Sequence, residues 1–92
     1  MKRDRVDESR ALIRRAMDFA LGAYTEQEAT KGDGWRDATV GQVYGHLAHE
    51  LDEVRSDLRR GDRRTFLIHN LVDMVTLSAM LLARVLAEGG EL

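Results

Sequence analysis

Apolar residues recur at a helical period along most of the chain. Between residues 4 and 31 they are spaced three, four or seven apart, as they are on one face of an α-helix. Leu12, Phe19 and Leu21 lie beside this stripe and widen it. The pattern predicts a first helix, over about residues 4–31, that contacts more than one neighbour. The stripe consists of Val6, Ile13, Met17, Ala20 and Tyr24.

A break that contains two glycines follows at residues 32–38 and predicts an irregular loop. Thr39 and Gln42 then have the spacing of a capping box, in which each side chain satisfies a free backbone N–H group. A second helix is therefore predicted over about residues 40–60. Its apolar positions are Val40, Val43, Tyr44, Leu47, Leu51, Val54 and Leu58, and the polar residues His46, Glu50, Glu53 and Asp57 border them.

The second helix ends at a turn that starts a third helix at once. Gly61 suits the left-handed residue that ends a helix, and Asp62 suits an N-cap. We therefore expect a third helix over about residues 63–87, antiparallel to the second. Residues 74–87 are apolar on nearly every side of this helix, a pattern typical of burial against several neighbours. Three helices offer too few neighbours, so we expect a homo-oligomer, a dimer or a tetramer.

These elements predict an all-α fold. An antiparallel helical hairpin and an N-terminal helix form a single domain, residues 1–92, that assembles as an oligomeric helix bundle. The chain contains neither cysteine nor proline. Disulfide and thiolate metal sites are thus excluded, and no proline interrupts the helices.

Charges of both signs are mixed along the chain, and the formal net charge is −2. This balance provides no overall field that would attract nucleic acid or an anionic membrane. Arg14, Arg15 and Asp18 interrupt the apolar run that a signal peptide would need. Residues 74–83, the longest apolar stretch without charge or imidazole, are about half a membrane span in length. We expect a cytoplasmic protein that neither binds nucleic acid nor enters a membrane.

Two polar pairs face each other across the turn between the second and third helices. Glu50 and Glu53 are spaced i, i+3, as are Asn70 and Asp73, and the pairs lie symmetrically about the turn. Three carboxylates and one carboxamide would then meet inside a helical hairpin, where a hard cation such as Mg²⁺ or Mn²⁺ offsets their repulsion. The simpler alternative is that the glutamates are solvated surface charges. Asp73 favours a metal site, because it lies within an apolar segment.

The same residues resemble the MazG-like, all-α nucleoside triphosphate pyrophosphohydrolases. That family has the motif E-E-x-x-E, a spacer and E-x-x-D; here residues 49–53 read HELDE and residues 70–73 read NLVD, with sixteen residues between them. Residues 31–35, KGDGW, resemble the K-G-x-W segment that some members have before the acidic helix. Two positions depart from the motif, since His49 and Asn70 stand where the family has glutamate.

The resemblance implies Mg²⁺- or Mn²⁺-dependent hydrolysis of a nucleoside triphosphate to the monophosphate and pyrophosphate. It implies a metal bound by Glu50, Glu53, Asn70 and Asp73. Of these residues, Glu50, Glu53 and Asp73 would also be catalytic. Lys31 is then a candidate phosphate contact and Trp35 a candidate base contact. Two alternatives stay open: the tryptophan loop could be purely structural, and the whole chain could be a non-catalytic module of this fold that binds nucleotide or protein.

The histidines are candidates for metal binding, and the arginines at the bend are candidates for phosphate contact. His46, His49 and His69 are candidates for supporting positions around the metal, and with Glu50 they could instead form a mixed site for Zn²⁺ or iron. Solvated histidines are the plain alternative. The four arginines at the bend between the second and third helices are expected to be solvated, with phosphate contact as the alternative. They are Arg59, Arg60, Arg63 and Arg64.

Overall fold

The computed structural model describes residues 2–90, and this part of the chain contains helices and no strand. Helix α1 spans Lys2–Lys31, a 3₁₀ turn spans Gly34–Arg36, α2 spans Val40–Arg60 and α3 spans Arg64–Glu88. The all-α prediction is confirmed, and each predicted helix boundary lies within two residues of the observed one.

The capping signals explain where α2 begins and ends. Thr39 Oγ1 accepts a hydrogen bond from the Gln42 backbone N–H at 3.1 Å, and the Thr39 N–H donates to Gln42 Oε1 at 2.9 Å. Gly61 ends the helix at φ 71°, a left-handed conformation that a side chain would strain. The predicted N-cap of α3 is wrong by one residue. Arg63, not Asp62, holds that position and makes no side-chain capping bond.

The most extensive helix contact joins α2 and α3, which form the predicted hairpin, while α1 packs mainly on α3. Val43 and Val54 of α2 and Ala20 of α1 are the buried apolar residues of the described chain. The predicted stripes are otherwise largely exposed. On α2 and α1, residues such as Leu58 and Met17 keep 64% and 59% of their surface exposed, because no third element within residues 2–90 covers those faces.

Helix α3 has more apolar surface than its two neighbours cover. Among its residues only Thr76 is buried. By length and composition alone α3 could cross a membrane, a property that it shares with the central helices of soluble bundles. The expectation that three helices are too few to enclose α3 therefore agrees with the structure of the single chain.

Arg84 of α3 holds the glycine-rich loop, residues 32–38, against the helices through hydrogen bonds. Its Nη1 donates to the carbonyl oxygens of Trp35 at 3.2 Å and Arg36 at 2.6 Å, and also to that of Ala38. On the other side, the Trp35 indole N–H donates to the Tyr24 hydroxyl of α1 at 2.9 Å. The loop thus bridges α1 and α3, and its single tryptophan is held from both sides.

Candidate functional site

A polar cleft of about 210 Å³ lies where α1, α2 and α3 come together. The C-terminal half of α1 contributes an amide and an amine, while facing turns of α2 and α3 contribute histidines and carboxylates. Thr76, Leu77 and Met80 close its apolar side. The polar residues of the cleft are Gln27, Lys31, His46, His49, Glu50, His69 and Asp73.

Glu50 is the most perturbed group of the cleft. Its Oε2 atom is buried and has no hydrogen-bond partner in residues 2–90. Burial raises the pKa of Glu50, the Asp73 carboxylate raises it further, and His49 lowers it. A buried carboxylate oxygen without a partner is unfavourable, so this atom is suited to a cation or a donor that enters the cleft.

Asp73 faces Glu50 from α3 and is held by two neighbours. Gln27 Nε2 of α1 donates to its Oδ1 at 3.5 Å, and His69 Nε2 lies 3.4 Å from its Oδ2. The side chain of Asp73 is 19% exposed. The opposed pair Glu50 and Asp73, predicted from the symmetry about the turn, is therefore present in one cleft.

The second predicted pair is separated in the structure. Glu53 is about half exposed, lies 3.4 Å from His49 Nε2 and does not line the cleft. Asn70 turns toward the bend, where its Nδ2 donates to Asp57 Oδ2 at 2.7 Å. The roles of Glu53 and Asn70 as metal ligands stay predictions, but the amide nitrogen of Asn70 is already engaged.

Asp57 is almost fully buried, at 4% exposure, and is the hub of this neighbouring cluster. Arg63 Nε lies 3.2 Å from Asp57 Oδ1 as an ion pair, although the N–H is not aligned for a hydrogen bond. The Arg63 guanidinium also stacks on the Phe66 ring, 4.3 Å from its centroid. At this position, the expectation of a fully solvated basic bend is wrong, because the buried Asp57 carboxylate requires a cationic partner.

Lys31 and Trp35, the two predicted substrate contacts, lie in different places. Lys31 lines the polar cleft. Trp35 lines a second cavity of about 430 Å³ between α1 and α3, here called the apolar groove. The groove is lined mainly by Met17, Leu21, Tyr24, Trp35, Val75 and Met80. Thr76 and Met80 line both cavities, so the groove and the cleft adjoin.

Tyr24 links the groove to Glu28, one turn further along α1. Its hydroxyl donates to the Glu28 carboxylate and accepts from the Trp35 indole. The bond to Glu28 raises the pKa of Tyr24, with a smaller contribution from burial. The phenol therefore stays protonated and fixes the orientation of the tryptophan ring.

The side-chain donors of the cleft suit Mg²⁺ better than Zn²⁺ or iron. Within residues 2–90, no group of three or more histidine or acidic side chains is arranged to hold a metal ion. A preformed Zn²⁺ or iron site would need such a group, and the three histidines do not supply it. Mg²⁺ binds through one or two carboxylates together with water and substrate phosphates. Glu50 and Asp73 fit that requirement, since Glu50 Oε2 lacks a partner.

Sequence reasoning missed Gln27, Asp57 and Arg84 as residues that shape the site. Asp57 carried a signal, because it is the last member of the acidic row on α2. Arg84 also carried one, as the single charged residue of the apolar segment 74–87. Gln27 had no distinguishing feature, since its role depends on how α1 crosses α3.

In comparisons with protein family models, curated proteins and solved structures, nothing matched this chain.

Proposed function

We propose that this protein hydrolyses a nucleoside triphosphate, with Mg²⁺ or Mn²⁺, to the monophosphate and pyrophosphate. The observation that carries the proposal is the buried, unpartnered Oε2 of Glu50 beside Asp73. A carboxyl group whose pKa is raised by burial and by a neighbouring carboxylate is suited to a divalent cation. The resemblance of residues 49–53 and 70–73 to the MazG-like motif supports the choice of reaction.

Five residues of the cleft have defined parts in this proposal. Glu50 and Asp73 would hold the cation, which would neutralise phosphate charge and lower the pKa of an attacking water. Water would attack the α-phosphorus, the α–β phosphoanhydride bond would break with pyrophosphate as the leaving group, and the proton of the water would pass to solvent. Lys31, at the C-terminal end of α1, supplies a positive charge for the phosphates. Gln27, through its hydrogen bond, and His69, at ion-pair distance, would orient the Asp73 carboxylate, as polar neighbours of metal ligands commonly do.

The test measures pyrophosphate release from a panel of nucleoside triphosphates in Mg²⁺. Glu50→Gln and Asp73→Asn should each lower the rate by about 10²-fold or more, because each removes charge stabilisation from the reacting phosphates. Asp52→Asn is the matched control, since Asp52 is exposed on the same helix and does not line the cleft. If the parent releases no pyrophosphate from any of these substrates, the hydrolysis proposal is wrong.

A non-catalytic nucleotide-binding module is the second candidate. The observation that favours it is the bond between Asn70 and Asp57, which leaves one position of the four-residue motif engaged outside the cleft. Calorimetric titration with Mg²⁺ and a nucleoside triphosphate separates the two functions. Binding that depends on Glu50 and Asp73 without any pyrophosphate release would identify the module.

A further inference from the structure

The chain exposes more surface than a folded monomer of its size should. A compact protein of 10.4 kDa is expected to expose about 5,400 Å². This chain exposes 7487 Å². The excess is roughly 2,000 Å², which is within the range that each subunit of an obligate homodimer buries.

The first half of α1 contributes to this exposed surface. Residues 2–15, here called the arm, line neither cavity, and every side chain from residue 3 to residue 15 is exposed. Leu12 and Ile13 of the arm are 61% and 62% exposed, and Met17, one turn further, is 59% exposed. The arm therefore extends from the body of the molecule as a helix with an uncovered apolar side.

The arm and the body carry opposite charge. Residues 2–15 contain six basic and three acidic side chains, which gives a formal charge of +3. The remaining residues contain eight basic and thirteen acidic side chains, which gives −5. A body with this charge attracts the arm. The arm cannot fold back onto its own body, because α1 is one continuous helix of 30 residues, about 45 Å long.

We propose that a second copy of this chain seats its arm in the apolar groove between α1 and α3, and that the contact is reciprocal. A two-fold axis makes this possible, since each copy then offers one arm and one groove. The apolar side of the arm covers Met17, Val75 and Met80 of the partner copy's groove, and the opposite charges set its orientation. A small apolar ligand would fill the groove but would leave the arm uncovered.

The contact has a consequence for the polar cleft. Because Thr76 and Met80 line both cavities, a helix in the groove borders the cleft as well. The proposal does not depend on hydrolysis of nucleotides, and it is tested by association alone.

The first experiment is light scattering of the full chain at micromolar concentration. The expected mass is twice that of the chain, or a multiple of the dimer. Ile13→Asp should give the monomer, whereas Leu58→Asp should keep the mass of the parent. Leu58 is the matched control, because it is equally exposed, at 64%, but lies on α2. Circular dichroism checks that the variants remain helical.

The second experiment locates the contact and does not require a folded monomer. The chain has no cysteine, so single cysteines can be placed cleanly. Protein with Ile13→Cys is mixed with protein with Ala79→Cys, whose side chain lines the groove, and is treated with a short bismaleimide. A covalent dimer should form, and the mixture of Leu58→Cys with Ala79→Cys should give none.

Three results would overturn the proposal. The first is a folded monomer, and the second is a dimer in which the Ile13 and Ala79 cysteines fail to cross-link. The third is a monomer that binds vesicles of phosphatidylcholine and phosphatidylglycerol, since the occupant of the apolar surface would then be a membrane.

Discussion

Replacing Asn70 with glutamate tests whether the motif residues form two separate clusters. In the structure, Glu50 and Asp73 lie in the polar cleft, whereas Asn70 bonds to Asp57 near the bend. The substitution matches the glutamate of the MazG-like motif, and motif reasoning alone predicts a fourth carboxylate for the metal and tighter binding of Mg²⁺. The structure predicts a different main effect. Position 70 faces the buried carboxylate of Asp57, with 2.7 Å between the amide nitrogen and Oδ2.

The expected loss of stability has two sources, a lost hydrogen bond and a new repulsion between carboxylates. Hydrogen bonds to charged groups contribute about 1.5–3 kcal/mol. Two carboxylates about 4 Å apart repel by about 4 kcal/mol at an effective dielectric constant of 20. Arg63 offsets part of this repulsion, and a longer side chain at a half-buried position can turn toward solvent. We therefore expect Asn70→Glu to lower the free energy of unfolding by about 3 kcal/mol, a fall of more than about 10 °C in Tm.

Urea denaturation at pH 7 and fixed protein concentration measures this change. Asn70→Leu is the control, because it removes the hydrogen bond without adding charge and should cost about 1.5–3 kcal/mol. Adding Asp57→Asn to Asn70→Glu removes the repulsion and should restore part of the stability, which a double-mutant cycle quantifies. If Asn70→Glu is as stable as the parent and binds Mg²⁺ more tightly, then position 70 belongs to the metal site and the two-cluster description is wrong.

Three further predictions follow from the contacts described. Arg84→Met leaves the loop carbonyls without their charged donor and should lower the free energy of unfolding by about 2 kcal/mol. The fluorescence of Trp35, the only tryptophan, should shift to the red, and an unchanged spectrum would show that Arg84 does not hold the loop in place. Since the pKa of Glu50 is raised in the fold, the free energy of unfolding should fall as pH rises above 4.5, and Glu50→Gln should lack this fall in denaturation series without metal. Thr39→Ala should cost about 1 kcal/mol in thermal unfolding, and Gln42→Ala less.

The helices were predictable because their signals are local. Thr39 and Gln42 give the start of α2, Gly61 gives its end, and apolar periodicity gives the rest. The pair Glu50 and Asp73 was predictable as well, since a short turn fixes which residues of two antiparallel helices lie level.

The surroundings of the pair depend on features that periodicity does not encode. Symmetry about the turn places Asn70 level with Glu53, yet its amide bonds to Asp57, which lies nearer the bend and is buried. The exposed apolar faces of α1 and α2 were also not predictable, because a stripe indicates that a surface will be covered without indicating by which chain. The helical pattern for α1 is correct, yet Val6, Ile13 and Met17 of its stripe remain about half exposed or more.

The shared position of Thr76 and Met80 gives the molecule a means of coupling two equilibria. A side chain that forms part of two adjoining cavities changes both when either is filled. Under the proposed self-association, anything that binds in the cleft and shifts these two residues must alter the dimerisation constant, and dimerisation must alter the affinity of the cleft by the same factor. Ligand affinity would then depend on protein concentration, so titrations of the cleft at two dilutions need not agree.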